Sequence, residues 1–339
     1  MNRANRNQAW MDLSKNTFNW EHHPDVLHYD KHQVDPRSYN FEPAFVSAIA
    51  DNMGLSRHHV QYASGGAYSL LRDLLIWVAP GKLVLMSPFW DQYLLGLAAP
   101  LRIPVESTED LFGMCPEDKL SAVEKKLCGN DAAIICSPNN PTGEVISLDK
   151  IISLAEAHPD TSFLIDEAYM EFQWLGAGLD ADASLQRILD HNRKIDRLVG
   201  ERPNMVFIRS TSKFYGLAGC VGYAVLQKPT NPYLGLYSRA DADAEAAIIH
   251  SPYYAETGVK TVRNRNELDA TLNDAGFKVR ESHANFSYLR SDVGHLSGLR
   301  REMEARHILI KYMGNAVRIT APNDQQKPYL FDAIQSAGG

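Results

Sequence analysis

Short apolar runs that alternate with helical stretches through the middle of the chain constrain the fold more than any other feature. Each run is rich in Ile, Val, Leu or Phe, and most end in Ser, Pro, Asn or Asp, as strands often do. In order, the runs are KLVLMSP, LRIPVE, AAIICSPNN, SFLIDEAY, NMVFIRS and VGYAVL. Continuous apolar runs indicate strands buried on both faces. Because LDKIISLAEAHP and EPAFVSAIADNMG show helical spacing, we predict an α/β fold with a mostly parallel central sheet and helices on both faces.

The pattern of polar and apolar residues changes after about residue 255. A polar, charged helical pattern, ETGVKTVRNRNELDATLNDAG, precedes the short strand candidates FKVRES, ANFSYLRS, ILIKYM and AVRITA. We therefore predict an N-terminal arm over residues 1–40, a large domain over 41–250 and a smaller α+β C-terminal domain over 251–339. Residues 174–204 form a polar connection with one amphipathic helix pattern. A lid and a surface insertion are both open interpretations of this segment.

Composition limits the partners. Of the 339 residues, 45% are hydrophobic and 22% are charged, as is typical of a globular protein. The formal net charge of −7 gives no electrostatic reason to bind nucleic acid or an anionic membrane. The sequence shows no secretory leader pattern and no run of about 20 apolar residues, so we expect a cytoplasmic protein. The four cysteines lack CxxC pairing and zinc spacing with histidines, so we predict buried free thiols and no metal site.

Polar residues stand at the carboxyl ends of three predicted strands: Asn140, Asp166 and, just after NMVFIRS, Lys213. Ligands of open α/β sheets bind outside these strand ends. A buried carboxylate such as Asp166 needs a cationic or proton-donating partner. Pyridoxal 5'-phosphate requires an amine, a carboxylate that keeps its ring nitrogen protonated, and hydrogen-bond donors for its ring oxygen. Lys213, Asp166 and the pair Asn140 and Tyr169 meet these requirements, although a lysine in an ordinary basic loop would look similar.

The phosphate of such a cofactor needs donors at a helix N-terminus, where backbone N–H groups are free. The stretch YASGGAYSLLRDLL places Ser64, Gly65 and Gly66 directly before a helical pattern, and Ser210 and Ser212 add hydroxyls beside the lysine. A strand-to-helix turn also uses glycine for purely conformational reasons, so the glycine pair alone is a weak signal.

Three motifs in order, SPNNPTG, DEAY and STSKFYGLAG, resemble those of fold-type I pyridoxal-phosphate enzymes, specifically the class I/II aminotransferases similar to histidinol-phosphate aminotransferase. The resemblance runs from about Leu13 to Asp332, and the early stretch DLSKNTFNW also resembles the threonine-phosphate decarboxylases. It implies the fold-type I architecture, pyridoxal 5'-phosphate as cofactor, an L-amino acid and a 2-oxo acid as small-molecule partners, and a homodimer.

The resemblance also implies roles for residues of the cofactor site. Lys213 is the amine that bonds to the cofactor and then acts as the general base that moves the α-proton. Asp166 pairs with the pyridine nitrogen, and Asn140 and Tyr169 hydrogen-bond the ring oxygen. Trp90, in SPFWDQY, takes the position of the aromatic that stacks on the ring, although a core tryptophan is the alternative.

Further roles concern the substrate and the second subunit. Tyr39 matches a tyrosine that reaches the phosphate of the neighbouring subunit, and packing is its alternative. Arg318, in AVRITAP, resembles the arginine that grips the substrate α-carboxylate, for which a planar fork suits better than a lysine; an exposed strand arginine is the competing interpretation. Asn140 borders the same substrate site, and Lys311 stands where relatives carry a substrate-side arginine.

The motif around the lysine departs from the family pattern. Relatives continue as LAGLRxGY, with an arginine that pairs with the phosphate, whereas this chain has LAGCVGY, with Cys220 and Val221 in that place. We therefore expect a weaker hold on the phosphate.

Three functions follow as hypotheses. The first is an aminotransferase that acts on an L-amino acid and a 2-oxo acid. The second is a divergent enzyme of specialised metabolism that uses the same cofactor for decarboxylation, elimination or cyclisation. The third is a degenerate cofactor-binding protein that serves as a partner subunit.

Overall fold

The structure is a computed structural model, and it describes residues 10–26, 44–89, 91–176, 179–229 and 239–338. Tyr39 and Trp90, both predicted to contact the cofactor, lie outside the described residues. Their roles stay predictions.

The described residues form strands and helices that alternate through most of the chain. The strands are β1 (Met11–Asp12), β2 (Val60–Ser64), β3 (Leu83–Leu85), β4 (Val105–Ser107), β5 (Ala132–Cys136), β6 (Ser162–Asp166), β7 (Met205–Ser210), β8 (Val221–Val225), β9 (Val279–Arg280), β10 (Phe286–Arg290), β11 (Ile308–Leu309), β12 (Lys311–Met313) and β13 (Ala316–Thr320). The helices are α1 (Ala44–Met53), α2 (Gly66–Val78), α3 (Asp91–Ala98), α4 (Pro116–Glu124), α5 (Leu148–Ala157), α6 (Met170–Trp174), α7 (Ala181–Glu201), α8 (Arg239–Ile249), α9 (Ser251–Asp274), α10 (Val293–Ala305) and α11 (Lys327–Gly338).

The larger sheet has seven strands in the order β2-β8-β7-β6-β5-β3-β4. Strands β4, β3, β5, β6 and β7 pair in parallel, and β8 runs antiparallel between β7 and β2. Residues that alternate along one strand enter two different cores: Ile134 packs into one apolar cluster and Ile135 into the other. The prediction of a mostly parallel sheet covered on both faces is therefore confirmed.

A smaller, antiparallel sheet of order β12-β13-β10-β9 occupies the C-terminal part of the chain. Its apolar core combines β10 and β13 with α10 and α11, and it includes Leu13 from the N-terminal segment. That segment is tied down by the parallel pairing of β1 with β11. Helix α9 contributes Tyr254 and Val262 to the core of the large sheet and Leu268 to the C-terminal core, so one helix joins the two.

Residues 181–201, from the polar connection, form the 21-residue helix α7. The helix begins at Asp180, whose side chain accepts the Ala183 N–H, a common N-terminal cap. Its Ile188 and Ile195 are fully buried in the core, so this part of the segment is a packed layer of the fold rather than a lid.

The cysteines of the described chain are all free, but the prediction that they are buried is wrong for two of them. Cys136 is buried, Cys220 is partly buried, and Cys115 and Cys128 are exposed. Over the described ranges, we find no helix that is both long and apolar enough to cross a membrane.

Candidate active site

The three predicted strand-end residues lie at one edge of the large sheet. Asp166 is the last residue of β6, Asn140 follows β5, and Lys213 follows β7. These strands are neighbours and parallel, with Cys136 opposite Asp166 in the register. The topology therefore brings the carboxylate, the amide and the amine together at the edge where α/β enzymes bind their ligands.

Asp166 is 2% exposed and lies among polar partners. Its Oδ1 accepts the Ala168 N–H at 3.0 Å. Burial and the neighbouring Asp166 carboxylate together raise the pKa of the Cys136 thiol well above its usual range, so Cys136 stays a neutral thiol beside the carboxylate. A buried carboxylate at this position is suited to hold a proton on a nitrogen base.

Lys213 and Tyr169 lie close together above this edge. The Lys213 Nζ is 5.7 Å from the centroid of the Tyr169 ring, within cation–π range. The same Nζ donates a long hydrogen bond of 3.5 Å to the Lys15 carbonyl. Tyr169 is 2% exposed and packs edge-on against Phe286 at 5.3 Å between ring centroids.

Arg318 reaches the same place from the smaller sheet. Its Nη1 donates to Asn140 Oδ1 at 2.6 Å, and its Nη2 donates to the Ser14 carbonyl at 2.7 Å. Its Nε is buried and has no hydrogen-bond partner among the described residues. Burial lowers the pKa of the guanidinium and the nearby Tyr169 partly offsets this, so the competing interpretation, an exposed strand arginine, is wrong.

Three consecutive residues of the N-terminal segment connect the site, and sequence reasoning did not assign them. The Ser14 and Lys15 carbonyls accept from Arg318 and Lys213, and the Asn16 side chain donates to the Tyr169 hydroxyl at 3.0 Å. Asn16 is fully buried with φ of 52°, a left-handed conformation that asparagine tolerates better than most residues. The only sequence signal was their place in DLSKN, within the stretch that carried the decarboxylase resemblance.

Lys311 lies at the exposed rim of the site. It stands opposite Arg318 in the antiparallel pair of β12 and β13, so the two side chains project from the same face of the sheet. Lys311 is exposed, and its role at the substrate stays a prediction.

At the predicted phosphate-binding end of the site, the backbone N–H groups that were expected to be free already make hydrogen bonds within the chain. The N–H groups of Gly65 and Gly66 both donate to the Cys220 carbonyl, at 2.7 and 3.2 Å. Ser210 donates to Ser212, whose oxygen also accepts the Gly219 N–H at 3.1 Å. The Ser212 hydroxyl keeps its own hydrogen to donate, so this end retains part of its predicted donor set.

Two glycines allow strand β8 and the first turn of helix α2 to approach each other closely. Gly66 begins α2 with φ of 75°, which a larger residue adopts only under strain. A Cβ on Gly222 would lie 2.6 Å from the Ala67 nitrogen, so β8 touches the first turn of α2. The shortened LAGCVGY loop therefore lies directly over the helix N-terminus.

Carboxylates stand at this end in place of the expected arginine. Asp241, on α8, is fully buried and accepts the Ser64 hydroxyl at 2.7 Å through Oδ1 and at 3.0 Å through Oδ2. Burial, with Asp241 adding to it, raises the pKa of Tyr62 to about 12. Burial also raises the pKa of the Cys220 thiol, and Asp243 and Asp241 add to that rise.

The residues present thus fit pyridoxal 5'-phosphate at its ring end and fit its phosphate less well. Lys213, Asp166, Asn140 and Tyr169 supply the required amine, carboxylate and donors, and of these Asp166 and Tyr169 are buried while Lys213 and Asn140 are partly exposed. At the phosphate end the serines remain, but Asp241 engages Ser64. The cofactor chemistry is available, with a modified phosphate site.

A buried charged network supports the strand end beside Asp166. Arg209 is fully buried and pairs with Glu167 at 2.5 Å, and His191 Nε2 lies 3.0 Å from Glu167 Oε1. Burial raises the pKa of the neighbouring Glu171 to about 7, although Arg209 opposes the rise.

A cavity of about 520 Å³ borders Glu167 and His191. None of the predicted cofactor or substrate residues lines it, so it is distinct from the candidate active site.

His23, Asp25 and His250 bring potential metal ligands within 4.8 Å of one another, a group that sequence spacing did not indicate. The two imidazole rings stack at 3.6 Å with an interplanar angle of 16°, so their ring nitrogens lie in two nearly parallel planes. His23 Nδ1 also lies 3.2 Å from the Asp25 N–H, which donates to it. This geometry is that of a stacked histidine pair with a carboxylate.

The fold and the strand-end residues are those of α/β proteins that bind a ligand at the carboxyl ends of parallel strands. Comparison with known proteins specifies this class further: the family of aminotransferases of class I and II matches residues 36–334. The chain belongs to this family.

Curated relatives include two histidinol-phosphate aminotransferases. The one from Gluconacetobacter diazotrophicus is 32% identical over an alignment of 218 positions, and the match covers 59% of this chain and 56% of the relative, so it spans little more than half of that relative's length. The one from Trichodesmium erythraeum is 26% identical over an alignment of 322 positions, and the match covers 86% of this chain and 80% of the relative.

Solved structures share the fold at lower identity. Histidinol-phosphate aminotransferase from Sinorhizobium meliloti, in complex with pyridoxal-5'-phosphate, has a TM-score of 0.77 at 22% identity and covers 98% of this chain and 91% of its own. L-threonine-O-3-phosphate decarboxylase from Porphyromonas gingivalis has a TM-score of 0.69 at 20% identity, with 96% and 98% coverage. The fold-type I architecture is confirmed.

Proposed function

We propose that this protein is a pyridoxal-phosphate-dependent aminotransferase that moves an amino group between an L-amino acid and a 2-oxo acid. One observation carries the proposal: an amine and a carboxylate-binding guanidinium meet around Tyr169. The Lys213 Nζ lies 5.7 Å from the centroid of the Tyr169 ring, and the Arg318 guanidinium lies 5.4 Å from the centroid of Phe286, the ring that packs edge-on against the same tyrosine. An amino acid bound through its carboxylate to Arg318 presents its α-carbon toward Lys213.

The hydrogen-bond geometry leaves suitable donors for the cofactor's ring oxygen. Asn140 accepts from Arg318 through Oδ1, so its NH₂ group is available to donate. Tyr169 accepts from Asn16 at its hydroxyl, so its own hydrogen is available as well. When bound, pyridoxal 5'-phosphate supplies an aldehyde for the amino group and an electron-withdrawing ring, and Asp166 holds the proton on the ring nitrogen.

Arg318 favours proton removal over decarboxylation. A buried guanidinium holds a carboxylate by charge-assisted hydrogen bonds, which stabilises the substrate with its carboxylate retained. The amine of Lys213 would then act as the base that takes the α-proton of the substrate and as the acid that returns a proton to complete the amino transfer.

The test is spectroscopic. The purified protein is titrated with pyridoxal 5'-phosphate, and a visible band of lysine-bound cofactor is expected, which Lys213→Ala abolishes. The matched control is Lys15→Ala, because the Lys15 side chain is solvent-exposed and pairs with Asp12. Addition of a panel of amino acids and L-histidinol phosphate, chosen from the names of the relatives, is expected to convert the bound cofactor to pyridoxamine 5'-phosphate.

The outcomes separate the alternative functions. Release of carbon dioxide or ammonia without the pyridoxamine form would favour the decarboxylating or eliminating enzyme. A protein that takes up the cofactor only weakly and converts none of these substrates would defeat both enzyme proposals and leave the degenerate cofactor-binding partner protein. Conversion of L-histidinol phosphate alone, among all the substrates, would place a phosphate rather than a carboxylate on Arg318.

We also propose a homodimer, on the resemblance that assigns Tyr39 to a neighbouring subunit's phosphate. Light scattering coupled to gel filtration tests it. A mass near twice 37.9 kDa is expected, and a monomer that still transaminates would refute it.

A further inference from the structure

The cavity beside the candidate active site has the size and the lining of a small-molecule site. It has a volume of about 520 Å³ and lies between α5, α6 and α7, with Ile165 of β6 in its wall. Its lining combines buried apolar side chains, such as Ile146 and Ile151, with exposed charged ones, such as Arg187 and Lys194. Cavities of about 300–1,000 Å³ with apolar walls and a few polar groups are typical of sites for small organic molecules.

The carboxylates that line this cavity already have cationic partners. The pairs are Glu167 with Arg209, Asp149 with Lys194 at 3.0 Å, and Asp190 with Arg193 at 2.8 Å. Among the described residues of the lining, no carboxylate is therefore left to bind a cationic ligand.

The polar groups that lack a partner are donors. The Arg187 guanidinium, on α7, makes no ion pair or hydrogen bond with any residue that the structure describes. Trp174, on α6, lines the same cavity, and its Nε1 is buried without a hydrogen-bond acceptor in the described ranges. A buried N–H without an acceptor is unfavourable, and a ligand oxygen would satisfy it. The two observations are independent, because they concern different side chains on different helices.

The chemistry of these donors selects the kind of anion. A guanidinium is a planar fork that matches the two oxygens of a carboxylate. One unpaired positive charge suits a monoanion better than a phosphate monoester, which carries a charge of about −1.5 to −2. The indole of Trp174, which lies 5.2 Å from the His191 ring, and the buried isoleucines provide apolar surface for the rest of the ligand.

We propose that this cavity binds a small organic monocarboxylate with an apolar body, and that Arg187 and the Nε1–H of Trp174 hold its carboxylate. Glu167, in the lining, directly follows Asp166 in the chain, but no described residue assigned to the cofactor or the substrate lines the cavity. A ligand here needs neither Lys213 nor Arg318. The proposal therefore does not rest on the proposed function.

Isothermal titration calorimetry of the full-length protein tests the proposal. The probes are benzoate and phenylacetate, each compared with its neutral amide, which keeps the shape and removes the charge. The cavity variants are Arg187→Ala and Trp174→Phe, the second of which keeps an aromatic ring and removes the N–H. The matched control is Arg197→Ala, because Arg197 is also an exposed arginine on α7 but does not line the cavity. Arg318→Lys reports on carboxylate binding at the candidate active site instead.

At least one acid is expected to bind the wild type about tenfold or more tightly than its amide, and Arg187→Ala is expected to weaken that binding about tenfold. Trp174→Phe should weaken it about threefold or more, whereas Arg197→Ala and Arg318→Lys should leave it unchanged. The proposal is overturned if neither acid binds with a Kd below about 10 mM. It is also overturned if a folded cavity variant binds as tightly as the wild type, or if Arg318→Lys abolishes binding, since the acid would then occupy the candidate active site.

Discussion

Arg318 is the residue whose replacement tests the substrate site most sharply. We consider Arg318→Lys, which keeps the positive charge and removes the planar fork. In the structure the fork is in use, since Nη1 bonds Asn140 and Nη2 bonds the Ser14 carbonyl. A lysine ammonium can replace one of these bonds at most, because it is a single point of charge on a flexible chain.

The size of the effect follows from the bonds that the fork makes. The guanidinium is 8% exposed, so it interacts with little screening by water. A hydrogen bond to a charged group contributes about 1.5 to 3 kcal/mol, which corresponds to about 10- to 100-fold in kcat/KM for an amino-acid substrate. Loss of the bond to the Ser14 carbonyl costs the fold about 1 kcal/mol in addition.

The assay compares two substrates in a single-turnover reaction with the cofactor-loaded protein. One is an amino acid, and the other is the amine that results from removing its carboxylate. Arg318→Lys is expected to lower the rate of conversion of the amino acid by about 10- to 100-fold. The rate of conversion of the amine and the dissociation constant of the cofactor should stay nearly unchanged. Arg290→Lys, on the neighbouring strand and paired with Asp110 at 2.7 Å, is the matched control.

Equal losses for the amino acid and the amine would refute the assignment, because the effect would then not depend on the carboxylate. A large loss of cofactor with unchanged turnover of the loaded fraction would place Arg318 in the cofactor site instead.

Three further predictions concern other parts of the molecule. Asn16→Ala removes the bond to the Tyr169 hydroxyl and leaves a left-handed backbone at φ of 52°, so urea denaturation should show a loss of about 2 kcal/mol in the free energy of unfolding; an unchanged midpoint would contradict the role of the segment. Burial raises the pKa of Glu171 from 4.5 to about 7, so the folded chain gains a proton that the unfolded chain lacks, and stability falls as pH rises through this window. Glu171→Gln should therefore stabilise the protein more at pH about 8 than at pH about 5, by up to about 3 kcal/mol, and an equal effect at both would contradict this. Because burial and Asp243 raise the pKa of Cys220, alkylation of Cys220 at neutral pH should accelerate in Asp243→Asn, as followed by peptide mass; an unaltered rate would show that the carboxylate does not act on the thiol.

The sequence predicted the large sheet because its strands are continuous apolar runs. Strand β6 lies within SFLIDEAY and β7 within NMVFIRS, and both are buried on either side. Strand β2 was not predicted, since Gln61 and Ser64 interrupt the apolar pattern of VQYAS and no periodicity remained to detect.

The contacts that organise the site were beyond sequence reasoning, although the motifs identified most of its residues. Arg318 meets Asn140 across 178 residues of chain, and Asn16 meets Tyr169 across 153. No local pattern encodes such pairings, because they depend on how the two sheets and the N-terminal segment pack. The absence of the expected arginine at Cys220 could be seen in the amino-acid sequence. The contact of Asp241 with Ser64 could not, because it depends on where α8 packs.

Covalent mapping of the cofactor directly tests whether Lys213 is the lysine that bonds to it. The protein is loaded with pyridoxal 5'-phosphate, reduced with borohydride to fix the bond to the lysine, digested, and its peptides are weighed. We expect one modified peptide, with the label on Lys213 within STSKFYGLAG. A label on Lys15, on Lys311 or spread over surface lysines, with Lys213 unmodified, would contradict it.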